Sequence, residues 1–280
     1  MSSFRTNNLF NVSGKVVLVT GGSRGIGKSI ATAFVANGAK VYITSRKAND
    51  CDETATELNA MGPGSCIAVP ADLQKVSEVE RLVAEISSKE TMLHVLVNNA
   101  GAAWGDGIDE YPDEAFTKVI TLNLQRVFTL TQKCLPLLRA AADNGGREGL
   151  SRIDPARIIN IGSIEALEVA NHETYAYAAS KAGLHHLSRT FAGRLGWEGI
   201  TSNTIACGAF PTKMTAATLD AVGDHIVRGT PLCRIGKPED VGGTAVFLAS
   251  PAASWMTGAT ITLDGGSIVA MTSMRAHAKL

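Results

Sequence analysis

Short runs of β-branched and aliphatic residues alternate along the chain with longer segments in which apolar side chains recur at helical spacing. Lys15–Thr20 (KVVLVT) is apolar and ends at glycines, and Ile26–Asn37 carries its apolar residues every third or fourth position, so strand, tight turn and helix follow one another. Gly38 stops that helix and Lys40–Thr44 (KVYIT) supplies a second strand, closing a βαβ unit of about 30 residues. The rhythm repeats: it predicts helices over Asp50–Met61, Val76–Lys89, Glu114–Arg139, Tyr175–Trp197 and Pro238–Leu248. Strands are predicted at Cys66–Val69, Leu93–Val97, Arg157–Ile161, Thr201–Ala206 and Thr260–Leu263. Strands that are apolar throughout are buried on both faces, and right-handed crossovers lay helices against each face. The pattern predicts an α/β fold with a doubly wound parallel sheet.

Two stretches break the rhythm. Ala142–Pro155, rich in Gly, Arg and Asp, reads as a solvated excursion, whereas Gly208–Ile235 follows the C-terminal end of a strand and reads as a lid over a ligand. The expected organisation is an arm over residues 1–14, one domain over 15–266 with the substrate lid at 208–235, and a tail over 267–280.

Composition narrows the function. The chain has 280 residues, 45% hydrophobic and 19% charged, with 26 Lys plus Arg against 26 Asp plus Glu. Zero net charge without a basic block gives no footprint for nucleic acid or an anionic membrane, so a small molecule is the expected partner. Five widely spaced cysteines without a CxxC predict buried thiols in a reducing compartment, and no metal site is expected. His185 and His186 are adjacent on a helix and diverge, and surface or interface roles are expected for the histidines generally, although His172 and Glu173 lie where they would touch a substrate. No signal peptide or long apolar window is present, which predicts a cytoplasmic protein. The ending Ala278-Lys279-Leu280 has the form of a peroxisomal address, the competing location.

The first turn reads Thr20-Gly21-Gly22-Ser23-Arg24-Gly25-Ile26-Gly27. A glycine-rich turn between strand and helix lets backbone N–H groups approach a pyrophosphate at the positive end of the helix dipole. The second strand ends in Ser45-Arg46-Lys47, without the carboxylate that would bind a 2′-hydroxyl. Arg24 and Arg46 together suit a 2′-phosphate, so NADP(H) is the expected cofactor.

Thr20–Gly27, then Asn98-Asn99-Ala100-Gly101, then Tyr177-Ala178-Ala179-Ser180-Lys181 stand in this order over most of the chain. In this the sequence resembles the short-chain dehydrogenase/reductase family in its TGxxxGxG, NNAG and YxxxK form. The resemblance implies a single Rossmann-type domain with a seven-stranded parallel sheet, assembled as a homotetramer or homodimer.

Tyr177 and Lys181 are one helical turn apart on one face. An ammonium beside a phenol is expected to stabilise the phenolate and lower its pKa, making Tyr177 a proton donor to a carbonyl oxygen. Ser163 follows the strand ending at Ile161, without a His/Asp partner at triad spacing, so it is read as polarising the substrate oxygen. Asn123 matches the family asparagine that holds a water linked to the lysine. The resemblance also places Lys181 on the nicotinamide ribose, Asp72 and Leu73 by the adenine, and Asn99, Ala100 and Gly101 on the cofactor floor. It places Gly208, Phe210 and Thr212 at the nicotinamide end, where Cys207 stands in the family's proline position.

Trp104, Leu167, Phe210 and Met214 either line an apolar cleft or pack core and lid. The expected activity is reduction of a small-molecule ketone, β-ketoacyl or another secondary-metabolite carbonyl, in the manner of reductases related to 3-oxoacyl-carrier-protein reductase. Two readings compete. A dienoyl-CoA-type reductase suits the AKL ending, but that branch lacks this Tyr/Lys arrangement; a non-catalytic dinucleotide scaffold would be expected to lose one of those residues.

Overall fold

The computed structural model describes residues 4–169 and 172–270. Four strands open the chain: β1 (Val16–Thr20), β2 (Lys40–Thr44), β3 (Ser65–Ala68) and β4 (Val95–Asn98). A small hairpin, β5 (Arg147–Glu148) and β6 (Ser151–Arg152), precedes β7 (Ala156–Ile161), β8 (Ile200–Cys207) and β9 (Thr260–Leu263). The main sheet has seven strands in the order β3-β2-β1-β4-β7-β8-β9, all parallel. Its helices are α1 (Thr6–Leu9), α2 (Gly25–Ala36), α3 (Ala48–Met61), α4 (Val76–Ser87), α5 (Asp113–Ile120), α6 (Arg126–Asn144), α7 (Tyr175–Leu195), α8 (Ala216–Gly229) and α9 (Pro238–Ala249).

Alternate side chains of β1 supply opposite faces of the sheet. Val17 and Val19 pack with Ile30, Phe34 and Val35 of α2 and Val241 and Ala245 of α9. Val16 and Leu18 pack with Leu82 and Ile86 of α4, Leu130 and Leu138 of α6, and Phe191 of α7. This is the doubly wound Rossmann-type sheet. The chain reverses direction between β3 and β4, so the crevice where the order switches opens at the C-terminal ends of β1 and β4.

Three stretches take a more definite form than the pattern predicts. The helix expected over Glu114–Arg139 is interrupted by a π turn at Thr121–Gln125 and runs on to Asn144. The excursion after Ala142 is ordered as the β5–β6 hairpin, with Gly146 and Gly149 at positive φ. The stretch 208–235 contains α8, which bends at Val222 and has no buried residue. Its apolar contrast is lost among Thr and Gly, and it lies on the surface. Among the described residues no helix is long and apolar enough to cross a membrane, and the cysteines are free. The Ala278-Lys279-Leu280 ending lies outside the described residues.

Candidate active site

The glycine turn is shaped by close backbone approach. A Cβ at Gly27 would stand 2.2 Å from the Gly21 carbonyl, and one at Gly21, where φ is +63°, would meet the Asn99 amide at 2.8 Å. The helix that follows has no side-chain cap at Arg24 and no acidic residue in its first turn. Its first N–H groups are left for an anion. Ser23 Oγ donates to Ser45 Oγ at 2.9 Å, which ties the turn to the end of β2. Arg24 and Arg46 are exposed, and neither holds an ion pair among the described residues. A cradle with glycine backbone on one side and two uncommitted guanidiniums at its rim fits a dinucleotide carrying an extra phosphate.

The floor of the crevice is fixed to the same turn. The Asn99 and Ala100 N–H groups both donate to Thr20 Oγ1 at 2.9 Å, and Asn99 Nδ2 donates to the Thr20 carbonyl at 2.7 Å. A Cβ at Gly101 would meet Asn123 Oδ1 at 3.2 Å, and one at Gly25 would meet the Thr212 methyl at 3.1 Å, so Thr212 reaches across to the turn. Ile26 packs partly against the core. Asp72 stands beyond β3 and accepts from the Gln74 N–H at 3.2 Å.

On the other side of the switch, α7 presents Tyr177 and Lys181 to the end of β7. Lys181 is buried; its ammonium donates to the Ile161 carbonyl at 2.7 Å and lies 5.6 Å from the Tyr177 ring centroid. Burial brings the Lys181 pKa down to about 8, with Cys207 and Glu165 opposing the fall. The Tyr177 hydroxyl lies deep beside Ser163, Glu165 and Cys207; burial raises its pKa, against the pull of the Ser163 hydrogen bond. The expected lowering by the lysine is therefore not the net effect: burial wins and keeps the phenol protonated. Ser163 Oγ accepts from the Glu165 N–H at 3.2 Å, which leaves its own proton free to be donated.

Asn123 sits in the π turn with both side-chain ends committed. Its Oδ1 accepts from the Ala102 N–H at 2.9 Å, and its Nδ2 donates to the Ala102 carbonyl at 2.9 Å and to Ser180 Oγ at 3.0 Å. The side chain binds the cofactor floor to α7, while the Lys181 ammonium is bonded to the Ile161 carbonyl.

Other expected positions divide. Gly208 lies against Asp264, where a Cβ would meet the aspartate Cβ at 2.8 Å. Of the two alternatives for Phe210 the structure has core packing: its ring is buried against Gly236, and its main chain remains for a ligand. The Leu73 side chain is likewise in the core. Trp104, Leu167 and Met214 are about half exposed, at 44%, 47% and 50%, as cleft residues would be. His185, expected at a surface, is buried, and its Nε2 accepts from the Ser163 N–H at 3.4 Å. The signal for it was its spacing: Tyr177, Lys181 and His185 follow one another at four-residue intervals on one face of α7.

The enoyl-(acyl carrier protein) reductase family model matches residues 21–268. The rhamnolipids biosynthesis 3-oxoacyl-[acyl-carrier-protein] reductase of Pseudomonas aeruginosa is 42% identical over 92% of this chain and 97% of its own length. The chain belongs to the short-chain dehydrogenase/reductase family. The 7alpha-hydroxysteroid dehydrogenase of Escherichia coli is 33% identical over 95% of this chain and 98% of its own length. Among solved structures, the Pseudomonas aeruginosa RhlG/NADP active-site complex has a TM-score of 0.86 at 41% identity, covering 92% of this chain and 98% of that one. The chain is an oxidoreductase of this short-chain reductase family.

Proposed function

We propose that the protein is an NADPH-dependent reductase that converts a ketone, β-ketoacyl or another secondary-metabolite carbonyl, to a secondary alcohol with Tyr177 as general acid. The observation that carries this reading is the meeting of Ser163, Tyr177 and Lys181 at the C-terminal end of β7, across the switch point from the glycine turn. It is supported by the 3-oxoacyl reductase relative and by the neighbour in complex with NADP.

Gly21, Gly25, Ile26 and Gly27 would hold the pyrophosphate, and Ser23, Arg24, Ser45 and Arg46 the 2′-phosphate end. Asp72 and Leu73 would flank the adenine; Asn99, Ala100, Gly101, Gly208, Thr212 and the Phe210 main chain would define the nicotinamide end, with Tyr177 and Lys181 at the ribose. When bound, the dinucleotide supplies the hydride. The chain supplies the proton and the field. The Ser163 hydroxyl donates to the substrate oxygen, the neutral Tyr177 phenol transfers its proton as negative charge develops there, and Lys181 stabilises the phenolate left behind. Asn123 keeps floor and helix in register.

Residues 15–266 form the working domain in this reading, with 208–235 as a lid over the substrate and with 1–14 and 267–280 outside it. The enzyme acts in the cytoplasm as a homotetramer or homodimer. The test mixes protein and NADPH with a panel of ketones and β-ketoacyl thioesters and follows the nicotinamide absorbance. Substrate-dependent oxidation that Tyr177→Phe abolishes is expected; no oxidation across the panel, or an unchanged rate in the variant, overturns the reading.

A further inference from the structure

We infer that His185 is a positioning residue for the reduction: its neutral ring fixes the main chain of Ser163 against α7, and so sets the separation of the serine and tyrosine hydroxyls. The inference rests on the Ser163 and Tyr177 roles proposed above.

The geometry is one-sided. A backbone N–H can only donate, so the 3.4 Å bond from Ser163 makes His185 Nε2 an acceptor. A neutral ring accepting at Nε2 carries its proton on Nδ1, and burial, with Lys181 and Arg189 nearby, holds the pKa down to about 4. Yet Nδ1 is buried and has no partner among the described residues. Leu184 and Phe191 show that α7 buries ordinary apolar side chains elsewhere along its length. A histidine whose second nitrogen is orphaned is therefore poorly explained by packing. Its polarity is spent on one contact, and that contact is the serine's main chain.

The approach of the ring is itself provided for. A Cβ at Gly162 would stand 2.1 Å from His185 Nε2 and 2.7 Å from the Thr204 methyl, so only glycine admits the imidazole beside Ser163. Two bonds then join the end of β7 to one face of α7: Lys181 to the Ile161 carbonyl and His185 to the Ser163 N–H. Lys181 also stands over the Tyr177 ring, so the His185 contact spans from the oxygen-polarising hydroxyl to the helix that aims the acid. Displacing a reacting group by about 1 Å can cost on the order of 100-fold in rate, which is the scale on which such a tether acts.

Two measurements decide. In wild-type protein labelled with ¹⁵N-histidine, His185 is expected in the neutral Nδ1–H form at pH 7, assigned by its disappearance in His185→Gln. An Nε2–H tautomer or a charged ring at that position overturns the inference whatever the substrate. In ketone reduction, His185→Phe is expected to lower kcat by about 10- to 100-fold through misplacement of Ser163, with NADPH affinity held within about twofold. His185→Gln, whose amide oxygen can accept the same bond, is expected to recover most of the loss. If Phe and Gln lose equally, or Phe loses nothing, the tether does not act in catalysis. Wild-type protein that oxidises no NADPH across the panel fails the reductase reading instead, while the tautomer still reports on the bond.

Discussion

Lys181 gives its ammonium to the main-chain carbonyl of Ile161 at 2.7 Å, so the charge beneath Tyr177 is held from the strand and not from solvent. That position is dry enough to bring the lysine to about 8 while the tyrosine rises above the ordinary phenol range. The two shifts separate the protonation states that the reaction needs. The phenol stays protonated over the working range, and the ammonium is the group that titrates. The value of kcat/KM for NADPH, which reports the free enzyme, is expected to fall above about pH 8 by roughly tenfold per unit. Replacing Lys181 by Arg, which does not deprotonate, moves that limb upward at whatever rate remains. A limb unchanged in Lys181→Arg assigns it to another group.

The same burial has a cost in stability. Lowering the ammonium pKa from 10.5 to about 8 corresponds to about 3 kcal/mol of destabilisation. It is fully present below about pH 8, where folded and unfolded chains both carry the proton, and it fades as pH rises toward 10.5, because the folded chain has released the proton and the unfolded one has not. Lys181→Met removes the penalty and leaves the Ile161 carbonyl unpaired, which costs about 1 kcal/mol. The variant is expected to be inactive yet about 2 kcal/mol more stable at neutral pH, with the gain shrinking by pH 10. Urea unfolding at both pH values measures it, and equal or lower stability at pH 7 counts against a charged, buried lysine.

Much of this was legible beforehand. KVVLVT running into glycines announces β1 and the turn, and the spacing of Tyr177 and Lys181 puts both on one face of α7, because strand burial and helix spacing are local properties. For Phe210 the sequence leaves two alternatives, because an aromatic after a strand reads alike whether its ring turns toward Gly236 or toward a ligand. The net effect on Tyr177 is set by burial of the hydroxyl, a property of the assembled fold that the spacing of Tyr177 and Lys181 does not carry. The four-residue spacing of Tyr177, Lys181 and His185 places the histidine on the inner face of α7, but its partner, a main-chain N–H, leaves no signature in the residue string. The α8 helix lacked a buried face to reveal it.

Asn123 should matter as much for stability as for rate. Its side chain satisfies both polar groups of Ala102 and reaches Ser180 from within the π turn, and it is buried. Asn123→Ala takes the partner from the N–H and carbonyl of half-buried Ala102, at a cost of about 1–2 kcal/mol. The loosened floor begins right after Gly101, so weaker NADPH binding should accompany the lower urea midpoint. Full stability in the variant shows that Ala102 finds other partners and that the clamp is dispensable.

Cofactor choice turns on Arg24 and Arg46. They flank the turn from different elements, the N-cap of α2 and the segment after β2, and neither is spent on a carboxylate among the described residues. Exposed charge-assisted bonds to a phosphate are modest and screened by salt, so Arg46→Ala or Arg24→Ala is expected to weaken NADPH binding by about tenfold at low ionic strength and less at high. NADH, which has no 2′-phosphate, should be unaffected. Arg46→Asp goes further, since its carboxylate repels the phosphate and can accept from a ribose 2′-hydroxyl, so the preference should move toward NADH. Fluorescence titration of both dinucleotides separates the effects. Wild-type protein that binds NADH as tightly as NADPH, or an Arg46→Ala variant that loses nothing, leaves the two guanidiniums as solvated surface charge.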